Sequence, residues 1–120
     1  MPSIERALSG DVLRFELDEE HGRTADPNTL ERHGRSARTL LKDGPLRVTL
    51  IAIAAGGEVA EHAADGPITV QPLTGSIRFT AGGEVHVLRP GELLALRAGV
   101  RHSVTSEQGG SFLLTVSLTQ

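Results

Sequence analysis

The sequence predicts an all-β domain, a sandwich or barrel of short antiparallel strands, and three observations carry that reading. From Ala37 onward, short apolar segments rich in Val, Ile and Thr follow one another, each closed by a turn signal. Gly and Pro signals arrive roughly every eight residues there, which leaves no room for a helix of three turns. The chain of 120 residues, 38 % apolar and 22 % charged, is long enough for one hydrophobic core and too short for two.

The segments can be read in order. Ala37–Leu41 ends at Asp43-Gly44-Pro45, Leu46–Ala54 at Gly56-Gly57, and Glu58–Ala63 at Asp65-Gly66-Pro67. Ile68–Leu73 ends at Thr74-Gly75, Ser76–Thr80 at Ala81-Gly82-Gly83, and Glu84–Leu88 at Arg89-Pro90-Gly91. Leu93–Arg97, Arg101–Thr105 and Ser111–Leu118 complete the series, the first two closed by Ala98-Gly99 and by Gln108-Gly109-Gly110. The strand-turn series, with the family resemblance described below, places Leu50, Ile77, Phe79, Leu88 and Leu96 in the expected barrel interior.

The first third has a different character. Residues 1–45 read as an N-terminal arm with an edge strand, and residues 46–120 as the barrel domain. Ile4 to Leu8 fits one helical turn, and Val12 to Leu17 alternates as a strand with Leu13, Phe15 and Leu17 on one face. Asp18 to Arg38, rich in charge and broken by Gly22, Pro27 and Gly34, reads as an arm or long loop, with room for a helical turn over Thr29 to His33. His21 and His33 read as surface loop residues. Arg32, Arg35 and Arg38 read as part of a solvated charged segment, with anion binding the alternative.

Composition removes several function classes. The net charge of −3 does not suit a grip on phosphate backbones, so no nucleic-acid partner is expected. Trp and Tyr are absent and Phe15, Phe79 and Phe112 are the only aromatics, so stacking platforms are scarce. The longest uncharged apolar run, Val48 to Gly57, is about half of the ~20 residues a spanning helix needs, so no membrane partner is expected. The opening residues lack the apolar stretch of a secretory signal, and a cytoplasmic protein is expected. Without cysteine there are no disulfides, thiolate metal sites or cysteine nucleophiles. No Gly-rich phosphate loop opens a helix, and Lys42, the only lysine, sits beside the turn Asp43-Gly44.

From Gly56 the chain resembles the cupin superfamily, the RmlC-like double-stranded β-helix or jelly-roll barrels. The first motif of that family is a Gly, five residues, His-x-His, a Glu and a closing Gly. Here His62 follows Gly56 at the matching interval and Gly75 stands in the closing place. In the second motif Gly91 is the opening Gly, Arg97-Ala98-Gly99 replaces Pro-x-Gly, His102 follows, and Ser106 stands where the family has Asn. The hairpin from Ser76 to Leu88 fills the gap between the motifs. The resemblance covers about residues 46–118 and implies an antiparallel barrel with a site at its mouth.

The resemblance also implies where ligands would be, and the chain departs from it there. Metal-binding cupins converge two His, a Glu and a later His inside the barrel. Here Ala64 and Ile68 occupy two of those positions, which leaves His62 and His102 as an incomplete metal set. Catalytic zinc usually has three protein ligands, and non-haem iron two His and a carboxylate. Gln71 would join them only if Gly66-Pro67 shifts the strand register, and Glu61 and Asp65 flank a turn. His86 shares parity with Leu88 and could point inward, with Val85 and Val87 as the alternative inward pair.

Two functions from different classes remain. One is a binding module holding a small molecule in the barrel, with His62, His102, Gln71 and His86 as candidate ligand-binding residues. The other is a metal-dependent enzyme, a dioxygenase, isomerase or decarboxylase, in which His62 and His102 hold a divalent Fe, Mn, Ni or Zn. A homodimer is expected, because the apolar face of Val12 to Leu17 must be buried and sheet edges invite pairing.

Overall fold

Among the described residues, nine strands form where the turn signals delimit them. The structure, a computed structural model, describes residues 11–118. The strands are β1 (Arg35–Asp43), β2 (Leu46–Ile53), β3 (Glu58–His62), β4 (Ile68–Gly75), β5 (Ile77–Ala81), β6 (Glu84–Leu88), β7 (Leu94–Leu96), β8 (His102–Thr105) and β9 (Gly110–Ser117). They pair antiparallel into two sheets, in the orders β1-β2-β9-β4-β7 and β3-β8-β5-β6.

The space between the sheets is filled from alternate positions. Ile53, Ile68, Val70, Ile77, Phe79, Ala81, Leu88, Val104 and Phe112 form one buried cluster, with Ile51, Leu96, Leu114 and Val116 packed against it. Leu96 is thus a half-buried border of the core. Leu50 is completely buried but lies outside this cluster. Since Ile51 and Ile53 face inward, Leu50 and Ala52 face out, against the N-terminal helices.

Those helices correct the reading of Asp18 to Arg38 as an arm or loop, although the second contains the helical turn expected over Thr29 to His33. α1 (Leu17–Thr24) and α2 (Pro27–His33) pack on β1 and β2. Residues treated as breakers are caps. Asp26 accepts from the Thr29 amide at 3.1 Å and its hydroxyl at 2.6 Å, Pro27 opens the helix, and Gly34 closes it at φ 78°. The Thr29 hydroxyl and then its amide hold the Asp26 carboxyl below its ordinary value of 3.8. The cap's contribution is therefore present at neutral pH and is lost as the pH falls below that value.

α1 has Asp18, Glu19 and Glu20 in its first turn, where the helix dipole favours anions. The buried Glu20 carboxylate lies 3.6 Å from Arg38 Nε and 3.2 Å from Arg23. Arg38 shares its face of β1 with Leu50 through the register of the hairpin, so this ion pair ties α1 to the outer face of the sheet. His21, expected in a solvated loop, is half-buried in α1, whereas His33 is exposed at the end of α2.

The stretch before α1 is not a strand. Val12 to Glu16 has no regular structure, and Leu17 begins α1. Its alternation survives as burial: Leu13 and Phe15 lie half-buried beside Leu41 and Val48 on the outer face of the first hairpin. The apolar face expected to need a cover thus rests on its own domain, and edge strand β1 begins at Arg35, ahead of the expected barrel start at Leu46. The helical turn expected over Ile4 to Leu8 lies outside the described residues.

Candidate ligand site at the barrel mouth

The antiparallel pairing of β3 and β8 sets His62 directly opposite His102. The register shifts between Val59 and His62, a bulge that turns the end of β3 relative to the rest of the strand. The two imidazoles meet edge to face, with ring centroids 4.3 Å apart. His102 is buried, and its ring stacks on Phe79 at 5.3 Å; His62 is exposed. One imidazole is therefore in the wall and the other at the opening.

Backbone carbonyls engage one nitrogen of each ring. His62 Nδ1 lies 2.9 Å from the Ala60 carbonyl oxygen, and His102 Nδ1 lies 3.0 Å from that of Val100. A carbonyl oxygen only accepts, so each Nδ1 carries the hydrogen and Nε2 is the ring nitrogen left for other partners. Both histidines make this bond two residues back, so each ring is oriented by its own strand.

Behind the pair lies a cavity of about 70 Å³, lined by Ile51, Val59, Phe79, Val104, Phe112 and Leu114 as well as the two imidazoles. It is well below the ~300 Å³ of pockets that enclose drug-sized ligands. It suits a compact apolar group whose polar end meets the imidazoles.

The other candidate residues fall elsewhere. Gln71 is exposed: Ile68, Val70 and Pro72 face inward, and the shift in the β4–β9 register comes between Pro72 and Thr74, beyond Gln71. Without a shift ahead of Gln71, strand parity turns it away from the barrel, so it does not line the cavity. His86 is opposite Phe79 in the β5–β6 register and half-buried, on the inner face, but on the outermost strand of its sheet and away from the cavity lining. Val85 and Val87 are exposed at 52 % and 49 %, which leaves Leu88 as the inward neighbour of His86.

Ala64 packs against the core and Ile68 belongs to it, so apolar contact replaces donors at both positions. Glu61 is held by Arg101 at 3.1 Å on the exposed rim. Among the described residues no group of three or more His, Asp or Glu converges on one point. The donor set is two imidazoles, one short of what a three-ligand centre requires, so the side chains present do not by themselves fit a metal.

Ser106, in the family's Asn place, is a structural staple. Its hydroxyl donates to the Ser76 carbonyl at 2.8 Å and accepts from the Gly109 amide at 2.9 Å, while its own carbonyl accepts from the Gly56 amide at 2.7 Å. It is buried, and it fixes the turn between β8 and β9 against the start of β5. Sequence reasoning assigned it no role, since a serine before a turn gives no sign of its distant partners.

No family model matches the chain. Over 89 residues it is 38 % identical to L-ectoine synthase of Sphingopyxis alaskensis, a match covering 71 % of this chain and 65 % of that enzyme, just under two thirds of its length. An RmlC-like cupin from Shewanella frigidimarina superposes with a TM-score of 0.68 at 22 % identity, covering 73 % of this chain and 79 % of that one. Salicylate 1,2-dioxygenase from Pseudoaminobacter salicylatoxidans superposes with a TM-score of 0.75 at 17 % identity, over 86 % of this chain and 32 % of that larger one. No helix among the described residues is long and apolar enough to cross a membrane. Two facing antiparallel sheets, with a histidine pair where β3 meets β8, and these superpositions lead to one conclusion: the chain has the fold of the RmlC-like cupins.

Proposed function

We propose that this chain is a cytoplasmic small-molecule-binding protein whose ligand enters the barrel mouth and is oriented by His62 and His102. The observation that carries the reading is the cavity itself: apolar walls with two imidazoles 4.3 Å apart, each with Nδ1 engaged by a backbone carbonyl and Nε2 left for a ligand. Such polar anchors set orientation, while apolar burial supplies most of the affinity. The ligand is a compact molecule with an apolar body and a hydrogen-bond donor at one end.

A metal-dependent enzyme is the second reading. It is favoured by the Nδ1–carbonyl bonds, since metal-ligating histidines commonly donate their other nitrogen in this way. The names of the similar proteins, a dioxygenase and a synthase, support it as well. It requires the substrate or water to complete the donor set, and no reaction step follows from the residues present.

Protein purified without an affinity tag or chelator separates the two. Denaturation followed by mass spectrometry should release a small molecule from the wild type, but not from His62→Ala or His102→Ala. Near-stoichiometric Fe, Mn, Ni or Zn by elemental analysis would favour the enzyme. If neither is recovered, and the imidazole resonances of both histidines ignore a library of small polar-headed apolar fragments, the site is refuted. The two variants should differ in stability. His62 is exposed, and its loss should change stability by less than about 0.5 kcal/mol. Loss of the buried, stacked His102 should cost roughly 1–3 kcal/mol, read by chemical denaturation.

We further propose a homodimer formed through the face that bears the N-terminal stretch. Val12 is 85 % exposed there, beside a groove of about 400 Å³ walled by Leu13, Phe15, Leu41 and Val48. A second copy covers this patch symmetrically. Light scattering at micromolar concentration should give about twice 12.7 kDa, falling to 12.7 kDa in Val12→Asp with an unchanged far-ultraviolet spectrum. A wild-type mass of 12.7 kDa would refute the dimer.

A further inference from the structure

Another concavity lies on the outer face of the smaller sheet, away from the imidazole pair. It has a volume of about 240 Å³ and is lined by Ser76, Arg78, Val87, Arg89, Glu107 and Gln108. Strand geometry places Arg78 on this side. Phe79 and Leu88 face the core, so Arg78 and Val87, opposite each other in the β5–β6 register, face out, and Arg89, just past the end of β6, lines the same space. The opposite wall is the turn between β8 and β9, fixed by the Ser106 staple to Ser76 and Gly109. The two walls are tied to each other by that staple and by the pairing of β5 with β8, which gives the space a definite shape.

Its charges are unequally engaged. Arg78 pairs with Glu107 at 3.7 Å, and both side chains are largely exposed, at 48 % and 84 %. The Arg89 guanidinium has no partner among the described residues. The neighbouring carboxylate of Glu92 accepts from the Arg89 backbone amide at 2.8 Å and closes the turn. The concavity therefore holds two guanidinium groups against one weakly held carboxylate, in a chain of net charge −3. Exposed ion pairs of this kind contribute little and open readily.

We propose that this concavity is an oxyanion-binding site, in which a phosphate- or carboxylate-bearing small molecule displaces Glu107 and bridges Arg78 and Arg89. Guanidinium groups suit planar, paired recognition of such oxyanions. Ser76 and Gln108 supply further polar groups, and the Val87 side chain offers an apolar wall to the ligand body.

The test uses pyrophosphate and citrate as probes, titrated at low ionic strength into isotopically labelled full-length protein. Saturable amide shifts are expected at residues 76–78, 87–89 and 107–108 with one or both probes, and the preferred probe identifies the head group. Arg89→Gln should weaken binding about tenfold, the scale of one charge-assisted hydrogen bond. Glu107→Gln should tighten it several-fold, because the competing carboxylate is removed; an ordinary surface patch would show no such opposite sign. His62→Ala should bind as the wild type does, which keeps this site distinct from the barrel mouth. Absence of saturable shifts, unchanged affinity in Arg89→Gln, no tightening in Glu107→Gln, or loss of binding in His62→Ala would each overturn the proposal.

Discussion

Replacing Gly75 by Ala should lower the melting temperature by about 10–20 °C, a loss of roughly 3–5 kcal/mol from a total of about 5–15. Two costs combine at this position. Gly75 has φ +70°, a region that costs a residue with a Cβ about 1–2 kcal/mol. The added carbon would also run into the Gly109 carbonyl oxygen and come within 2.8 Å of the Gly110 Cα. Both obstacles are backbone, so no side-chain rotation relieves them, and β4 must separate from the start of β9. Gly82, at a hairpin tip with φ +58° and open space around it, isolates the first cost. Gly82→Ala should lose only about 1–2 kcal/mol. Thermal melts of the two variants that agree within two or three degrees, as an order-of-magnitude margin, would show that the close approach of the strands is unimportant.

Phe79→Ala should cost about 3–5 kcal/mol and should also change the binding site. Phe79 is 1 % exposed at the centre of the interior cluster, and the same ring lines the cavity and stacks on His102. Its truncation removes buried apolar surface, enlarges the cavity and leaves one face of the His102 ring without support. Phe79→Leu keeps most of the volume and should lose less than about 2 kcal/mol, while still removing the stack. In imidazole-detected spectra His102 should shift in both variants, whereas the exposed His33, remote in α2, should not. A small apolar ligand that fills the enlarged cavity should restore part of the stability of Phe79→Ala, as binding to the folded state alone requires. A cost below about 1 kcal/mol for the alanine variant would mean that this part of the interior collapses freely.

The strands were readable because their signals are local. A run such as Glu84 to Leu88 is bounded by Gly82-Gly83 and Pro90-Gly91, and strand and turn preference both act over a few residues. The helices are harder to read because the same residue types do two jobs: α2 contains the helical turn expected over Thr29 to His33, whereas α1 lies in a stretch that reads as a loop. Pro27 and Gly34 read locally as interruptions, yet a proline at the first helical position and a glycine at the closing one delimit a helix. In α1 the cue was weaker still, since Glu16 at its start makes no side-chain cap bond. Leu50 shows the limit of alternation: the pattern that sorts β2 into two faces does not say which face meets the other sheet, and both faces of β2 are covered.

The strand segments from Ala37 onward, the turns between them, the lack of cysteine and the two histidines at the cupin-motif positions are legible in the amino-acid order, although the same alternation also marks Val12 to Leu17, which is not a strand. These follow from steric and covalent properties of each residue and its near neighbours. Tertiary structure decided which polar groups meet. The β3–β8 register places His62 against His102, strand parity turns Gln71 outward, and His86 faces inward on an outer strand away from the cavity. It also brings Arg78, Arg89 and Glu107 to one concavity, with Ser106 holding its far wall. Pairing register and close strand approach depend on contacts between residues tens of positions apart, and one residue of slip reverses every side chain. Local preference carries no record of that choice; only the packing of the two sheets makes it.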